Sequence, residues 1–206
     1  MKTLIFIGGP TACGKSTLAD SLQERINNSV KYRRYQGFFD IAKRKNLKED
    51  EIFGSVSSEE VDDWFINICK QSEIVISDVH YAIQMNRDSV NIDIYQPYVP
   101  TLSNDLINKM LAEGIKIIVI FLSCSPEECL TRSIARYSKT KKNIRNISIE
   151  DSIIEYLAEE KEWKNIADRD SILGLTLDSE TLSVDDLTEQ IISIIEKNQL
   201  KKTRTK

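Results

Sequence analysis

The stretch IFIGGPTACGKSTLADSL, residues 5–22, passes from an apolar run through a glycine-rich turn into an amphipathic segment. Gly9, Gly14, Lys15 and Ser16 match the pattern G-x-x-x-x-G-K-[ST] of a phosphate-binding loop. A predicted strand before the pattern and a predicted helix after it supply the context that the loop requires. The residues expected to contact the nucleotide are Gly9, Pro10, Thr11, Ala12, Cys13, Gly14, Lys15, Ser16 and Thr17.

The residue types in this loop suit a nucleoside triphosphate with its metal. Glycines let the backbone turn its N–H groups inward, and the start of the helix adds a positive partial charge. Lys15 offers a cation to the β and γ phosphates, and the Ser16 hydroxyl is a ligand for Mg²⁺. A glycine turn that merely ended a strand would not need a lysine aimed into its cavity. We therefore expect ATP and Mg²⁺ as cofactors, with GTP as the alternative nucleotide.

Apolar runs alternate with segments of helical spacing along the whole chain. The runs predict strands at residues 3–7, 30–35, 73–77, 116–123 and 172–177. The helical spacing predicts helices at residues 15–26, 58–71, 102–113, 126–137, 148–168 and 184–197. Continuous apolar strands that alternate with helices indicate a parallel sheet covered on both faces. We expect one three-layer α/β domain of the P-loop NTPase type with a five-stranded parallel sheet, followed by a frayed basic tail at 198–206.

Composition restricts the class of protein. The 206 residues are 41% hydrophobic and 29% charged, with a net charge of −4, which fits one folded domain and not a protein whose main ligand is nucleic acid. No apolar run is long enough to span a bilayer, and the N-terminus shows no cleavage site of a signal peptide, so we expect a cytoplasmic protein. Four cysteines without a C-x-x-C pair and a single histidine argue against zinc and disulfides. The oligomeric state is left open.

Two polar residues follow the third predicted strand. Asp78 stands at its carboxyl end, where parallel sheets assemble their ligand sites, and is a candidate ligand of Mg²⁺, directly or through water. The alternative is an aspartate that caps the turn. His80 projects to the same side if strand geometry persists, and would orient water or an acceptor phosphate. Its alternative is a structural histidine.

Arginines lead into a basic segment at residues 137–147, YSKTKKNIRNI. Arg132 and Arg136 are four residues apart on one helix face, and Arg145 lies near the far end of the segment. Arginines that arrive from a mobile segment can neutralise the charge that develops during phosphoryl transfer. The alternative for the pair is surface ion pairing with Glu127 or Glu128.

The loop GGPTACGKST, the strand end SDVH and the helix end RSIARY resemble those of adenylate kinases of the nuclear and archaeal type. The stretch FFDIAKRKNL resembles the segment of that family that binds the acceptor nucleoside monophosphate: Asp40 matches, Lys43 stands where an arginine is usual, and Phe39 replaces a glycine. Lysine lacks the bidentate fork of arginine, so Lys43 would hold the acceptor phosphate less specifically.

The resemblance implies a nucleoside monophosphate kinase fold, with an acceptor-binding insertion at 36–72 and a short lid at 137–147. It implies ATP-dependent transfer of a phosphoryl group to a nucleoside monophosphate, with AMP as the leading candidate acceptor. The implied transfer residues are Lys15, Asp78, His80, Arg132, Arg136 and Arg145, with Mg²⁺ at Ser16 and Asp78. The residues expected on the acceptor side are Gly37, Asp40, Lys43, Tyr95 and Gln96. The last two lie in a long stretch after His80, which either shapes a pocket for another or larger acceptor or is a surface loop.

Other functions stay open. GPTACGKS by itself resembles the loop of tRNA dimethylallyltransferases, but the acidic strand end and the Thr-Ala-Lys-Pro stretch of those proteins are missing from this sequence. A P-loop ATPase that acts as a switch or assembly factor on a protein or RNA partner would suit Asp78 with His80. A kinase for another small metabolite is the third alternative.

Overall fold

The apolar runs of the sequence form the strands of one sheet in the structure, a computed structural model that describes residues 2–78, 102–140 and 148–203. The strands are β1 (Thr3–Gly8), β2 (Ser29–Lys31), β3 (Ile74–Asp78), β4 (Lys116–Ser123) and β5 (Ile172–Asp178). The described helices are α1 (Lys15–Arg25), α2 (Gln36–Arg44), α3 (Ile52–Ser55), α4 (Ser58–Gln71), α5 (Asn104–Ala112), α6 (Pro126–Thr140), α7 (Ile149–Ala167) and α8 (Val184–Thr203). The expected α/β fold with a five-stranded parallel sheet is confirmed.

The strand order is β2-β3-β1-β4-β5, and all pairs are parallel. The chain leaves β1 toward one edge of the sheet and later crosses to the other, so the carboxyl end of β1 lies at the point where the order reverses. In the register of β1 with β3, Ile7 pairs with Asp78. The loop that follows β1 therefore starts beside the carboxylate that ends β3.

The side chains of β1 alternate between two cores, one on each face of the sheet. Leu4 and Phe6 face a core that contains residues of α2, α4, α5 and α7. Ile5 and Ile7 face a second core built with α1, α6 and α8. All residues of β1 are buried, because helices cover both faces of the central strands. This explains why the sequence shows continuous apolar runs and not alternation.

β2 is shorter than the sequence predicted. The Tyr32 N–H still donates to the Ile76 carbonyl, but the chain then turns, with the Gln36 N–H donating to the Arg33 carbonyl. The Gln36 side chain closes the turn by accepting from the Arg33 N–H at 2.6 Å. Residues 33–35 thus leave the sheet edge and place Arg33 beside the end of β3.

The insertion at 36–72 is helical, comprising α2, a 3₁₀ turn at Glu49–Glu51, α3 and α4. Ser57 caps α4 by accepting from the Glu60 N–H, and the Glu60 carboxylate accepts from the Ser57 N–H, which is a capping box. A buried ion pair joins Arg34, just before α2, to Asp62 of α4. The start of the insertion is thereby fixed to its last helix.

Two helices run beyond their expected ends. α6 continues to Thr140, into the segment expected as a lid, and α8 continues to Thr203, into the expected tail. Neither helix contains a glycine or a proline after its first residue, so nothing in the local sequence ends it earlier. The rest of both segments, residues 141–147 and 204–206, lies outside the described residues. None of the described helices combines the length and the apolar character needed to cross a membrane.

Gly37 gives a test of how α2 packs on α4. A Cβ at position 37 would lie 2.7 Å from Trp64 Cε3 and 3.0 Å from Val61 Cγ1, whereas a Cβ at Gly54 of α3 would meet nothing within 4 Å. We expect Gly37→Ala to lower the free energy of unfolding by about 1–3 kcal/mol through overpacking. Urea unfolding should show no loss for the control Gly54→Ala. Equal midpoints for the two variants would contradict this packing.

Candidate active site

The phosphate-binding loop is pressed against β4. Gly9 has a φ of 132° and Gly14, which precedes α1, a φ of 100°, both in the region that favours glycine. A Cβ on Gly9 would lie 2.5 Å from the Leu122 carbonyl oxygen and 2.9 Å from Cys13 Sγ. Only a glycine fits at position 9, and its backbone is held between β4 and the rest of the loop.

Lys15 fills the interior of this loop. Its side chain is directed back over the loop, and Nζ donates to the carbonyls of Gly9 at 2.5 Å and of Pro10 at 2.7 Å. The residue is only 3% exposed. Both acceptors are neutral, and the first turn of α1 has no acidic residue. A buried ammonium beside a helix N-terminus makes this loop a site for an anion such as a phosphate chain.

Ser16 and Asp78 meet across the loop. The Ser16 hydroxyl donates to Asp78 Oδ2 at 2.7 Å, and the Asp78 side chain has no exposed surface. A hydroxyl and a carboxylate are the hard oxygen ligands that Mg²⁺ prefers, and phosphate oxygens with water complete such a site. The residues present therefore fit the expected metal. Elsewhere in the described ranges, no group of three or more His, Cys, Asp or Glu residues could hold a metal ion.

Arg33 is the residue of this site that the sequence analysis missed. Its Nε donates to Asp78 Oδ1 at 2.7 Å and its Nη2 to Oδ2 at 2.5 Å, which is a bidentate ion pair. Nη2 also donates to Ser16 Oγ at 3.0 Å, and Nη1 to the Tyr35 hydroxyl at 3.3 Å. The one available indication was a pair of arginines inside the second predicted strand, at residues 33 and 34.

Asp78 and Arg33 each stabilise the charged form of the other. Burial raises the pKa of Asp78, but the hydrogen bonds from Arg33 and Ser16 and the charge of Arg33 outweigh it, so that the pKa lies below the usual 3.8. The hydrogen bond to Asp78 raises the pKa of the Arg33 guanidinium. Asp78 is therefore an ionised carboxylate at neutral pH, as a metal ligand must be.

Cys13 is a buried thiol within the loop. Burial raises its pKa to about 11, and the charge of Glu159 on α7 contributes to that rise. Glu159 is only 2% exposed, so α7 brings a buried carboxylate toward the loop, which the sequence analysis did not anticipate. The four cysteines are free and buried, in agreement with the expectation of reduced thiols.

Arg132 of α6 contacts a glutamate of its own helix and a backbone carbonyl after β5. Arg132 Nε donates to Glu128 Oε1 at 2.8 Å, and Nη2 donates to the Ser179 carbonyl at 3.0 Å. The ion pair with Glu128, which was the structural alternative, is thus present, and Arg132 also links α6 to the turn after β5. Arg136 has an exposed side chain on the same helix. A role of either arginine in phosphoryl transfer stays a prediction.

The acceptor residues expected from the sequence are dispersed on α2. Gly37 is buried where α2 packs on Trp64, and the absence of a side chain there allows the close packing. Asp40 and Lys43 are exposed. Three further groups of predicted residues, His80 with Tyr95 and Gln96, Arg145, and the stretch after His80, lie outside the described residues. The described site therefore brings together Lys15, Ser16 and Asp78 of the predicted set, and adds Arg33.

Comparisons with known proteins agree with the fold. Residues 5–152 match the family model AAA_18, described as an AAA domain. No curated protein matches the chain in sequence. Solved structures also match the chain, at identities that show the fold alone. The tunicamycin resistance protein of Deinococcus radiodurans is 15% identical, with a TM-score of 0.56 over 95% of this chain and 96% of that one.

Two kinases are similar to the same extent. Shikimate kinase from Bacteroides thetaiotaomicron is 15% identical, with a TM-score of 0.52 over 94% of this chain and 98% of that one. Deoxyadenosine kinase from M. mycoides, with dCMP and dCDP bound, is 16% identical, with a TM-score of 0.51 over 94% of this chain and 99% of that one. The chain spans 45% of the length of one chain of the Pnkp1/Rnl/Hen1 RNA repair complex.

The ion pair at Asp78 predicts how stability depends on pH. Asp78→Asn leaves the Arg33 guanidinium without its carboxylate, and we expect the free energy of unfolding at pH 7 to fall by about 2 kcal/mol. Because the folded pKa of Asp78 lies below 3.8, the contribution is fully present above that value and is lost as the pH falls through the folded pKa. The difference between wild type and variant in urea unfolding should therefore shrink below pH 3.8.

The control for this titration is Asp20→Asn. The Asp20 side chain is 60% exposed, and its carboxylate pairs with Lys31. Exposed pairs contribute little, so this variant should follow the wild type at every pH. A pH-independent difference for Asp78→Asn would show that its effect is one of packing and not of charge.

Proposed function

The chain belongs to the AAA_18 family of AAA domains, and from this premise we propose that it transfers the terminal phosphoryl group of ATP to the phosphate of a nucleoside monophosphate. AMP is the first acceptor to consider, because of the resemblance to adenylate kinases of the nuclear and archaeal type. The observation that carries the proposal is the contact of Ser16 with Asp78 beside the Lys15-filled loop.

The donor half of the reaction follows from these three residues. Lys15 leaves the loop carbonyls to contact the β and γ phosphates, and the N–H groups at the start of α1 hold their oxygens. Ser16 and Asp78 would hold Mg²⁺, which when bound neutralises charge between the β and γ phosphates. The site thus positions and neutralises the phosphates, which is most of what phosphoryl transfer requires of a protein.

The state of Asp78 favours an acceptor that is already ionised. A hydroxyl acceptor must lose a proton, which requires a base with a pKa near the working pH. Asp78 has a lowered pKa and both of its oxygens accept hydrogen bonds, so it is a weak base. A phosphate oxygen needs no such base. Asp78 would therefore serve a nucleoside monophosphate better than a hydroxyl-bearing metabolite.

Two exposed aromatic rings beside Arg33 suit the base of such an acceptor. Tyr35 is 50% exposed and Phe39 is 44% exposed, and their ring centroids lie 6.5 Å apart. The Tyr35 hydroxyl contacts Arg33, so the aromatic pair adjoins the phosphate end of the site. Large exposed rings of this kind serve as stacking surfaces for nucleobases. Phe39, which departs from the glycine of the resembling family, is then part of base binding.

A panel of acceptors tests the reaction. With ATP and Mg²⁺, we expect a coupled assay to detect diphosphate formation from at least one of AMP, CMP, UMP, GMP and their deoxy forms, and none with Lys15→Ala. No turnover above the ATP-only control with any acceptor would reject the proposal. Acceptor-independent hydrolysis that disappears in His80→Ala would instead indicate a switch or assembly ATPase.

The aromatic pair yields a prediction specific to the acceptor. Tyr35→Ala and Phe39→Ala should each raise the KM for the nucleoside monophosphate about tenfold through lost stacking, without changing the KM for ATP. Tyr35→Phe, which keeps the ring and loses the hydroxyl, is the matched control and should keep an acceptor KM near that of wild type. An equal rise in both KM values would assign these rings to general stability of the site.

A further inference from the structure

We propose that Arg33 exchanges partners during the reaction, binding Asp78 before magnesium enters and the phosphate of the acceptor afterwards. The competition of Arg33 with the metal for Asp78 concerns this chain alone, whereas its binding to the acceptor phosphate rests on the proposed function. Arg33 would then be a catalytic residue that couples occupation of the metal site to binding of the acceptor.

Arg33 and a bound metal would compete for the same atoms. Asp78 Oδ1 accepts from Arg33 Nε at 2.7 Å, and Oδ2 accepts from Arg33 Nη2 at 2.5 Å. Nη2 also covers Ser16 Oγ at 3.0 Å. These are the oxygen atoms that fit Mg²⁺. A divalent cation and a guanidinium compete for them, because both bind the same oxygens and their positive charges repel each other at this range.

The Arg33 side chain is placed to move away from Asp78, in contrast to that of its neighbour Arg34. The Arg33 side chain is 26% exposed, whereas the side chain of Arg34 is 4% exposed and bound to Asp62 and to the Ser58 carbonyl. The backbone of Arg33 is held by the Gln36 side chain. Arg33 therefore has a fixed attachment and a side chain that reaches solvent, while Arg34 serves as an anchor.

Arg33 lies close to where the acceptor phosphate would bind. The guanidinium already contacts the Tyr35 hydroxyl on the side of the exposed aromatic pair. A planar guanidinium binds a phosphate with two parallel hydrogen bonds, which the ammonium of Lys43 cannot do. Lys43 is exposed on α2, where the resembling family has an arginine. Arg33 would supply the bidentate contact that this position lacks.

The exchange fixes the sign of the coupling between the two ligands. Without an acceptor phosphate, Arg33 opposes the metal at Ser16 and Asp78. Once an acceptor phosphate engages Arg33, this opposition ends, so each ligand strengthens binding of the other by the same factor. This coupling would weaken metal binding beside ATP when water is the only available acceptor.

Arg33→Gln separates competition with the metal from binding of the acceptor phosphate, because it acts in opposite directions on them. Titration of the nucleotide-free full chain with Mn²⁺, followed by electron paramagnetic resonance, should show several-fold tighter binding in the variant than in wild type. In the kinase assay the same variant should raise the KM for AMP, or for the best acceptor of the panel, roughly tenfold or more. Arg33→Lys should be intermediate in both measurements, since it keeps the charge and loses the bidentate fork.

The matched control is Arg25→Gln, which removes an arginine of α1 that is ion-paired with Asp185 and 37% exposed. It should leave the Mn²⁺ affinity and the acceptor KM unchanged, and circular dichroism melts report on folding of all variants. Arg33→Lys decides the question if Arg33→Gln does not fold. Unchanged or weaker Mn²⁺ binding in the Arg33 variants would overturn the proposal even if wild type phosphorylates AMP. Tighter Mn²⁺ binding with an unchanged acceptor KM would overturn the exchange as well.

If wild type phosphorylates no nucleoside monophosphate, the proposed function fails, and with it the second partner of Arg33. The Mn²⁺ titration needs no acceptor and still decides whether Arg33 competes with the metal. The two failures are therefore distinguishable.

Discussion

The parallel pairing of β1 with β3 is the constraint on which the site depends. It sets Ile7 opposite Asp78, so that the loop after β1 and the carboxylate after β3 emerge side by side from the same edge of the sheet. Burial on both faces fixes this register, because a shift by one residue would exchange the two cores that β1 separates. The hydrogen bond between Ser16 and Asp78 is a consequence of strand pairing as much as of the loop itself.

Local patterns in the sequence were sufficient for most of this architecture. The apolar runs and helical spacings predicted the strands and long helices. Strands buried on both faces are apolar along their whole length, and the helices that cover them carry apolar residues at helical spacing. Asp78 was predicted for the same reason, since it directly follows a predicted strand whose end could be located, whereas Ser16 was predicted as the last position of the G-x-x-x-x-G-K-[ST] pattern. The glycines and Lys15 formed a motif whose chemistry could be worked out residue by residue.

What the sequence did not predict depends on tertiary contacts. Arg33 reaches Asp78 only because β2 ends at Lys31 and the chain turns on the Gln36 side chain. A longer β2, as the apolar run suggested, would have carried Arg33 elsewhere. Gly37 looked like part of an acceptor motif, yet its lack of a side chain serves the close approach of Trp64. For Arg132, the helix spacing suited both phosphoryl transfer and an ion pair with Glu127 or Glu128, and the coordinates show the pair with Glu128.

The fit of Gly9 against the Leu122 carbonyl has a consequence for the thermodynamics of nucleotide binding. Because β4 and the Lys15 hydrogen bonds already confine the loop backbone, its conformational entropy is lost on folding and not when ATP arrives. The heat capacity and enthalpy of binding should then report on phosphate contacts, on the move of Lys15 from the loop carbonyls to the phosphates and on base burial, with little contribution from ordering of the loop backbone. The loop is thus preorganised for the phosphates, and the entropy lost in ordering it lowers the free energy of unfolding of the whole domain instead of the affinity for ATP.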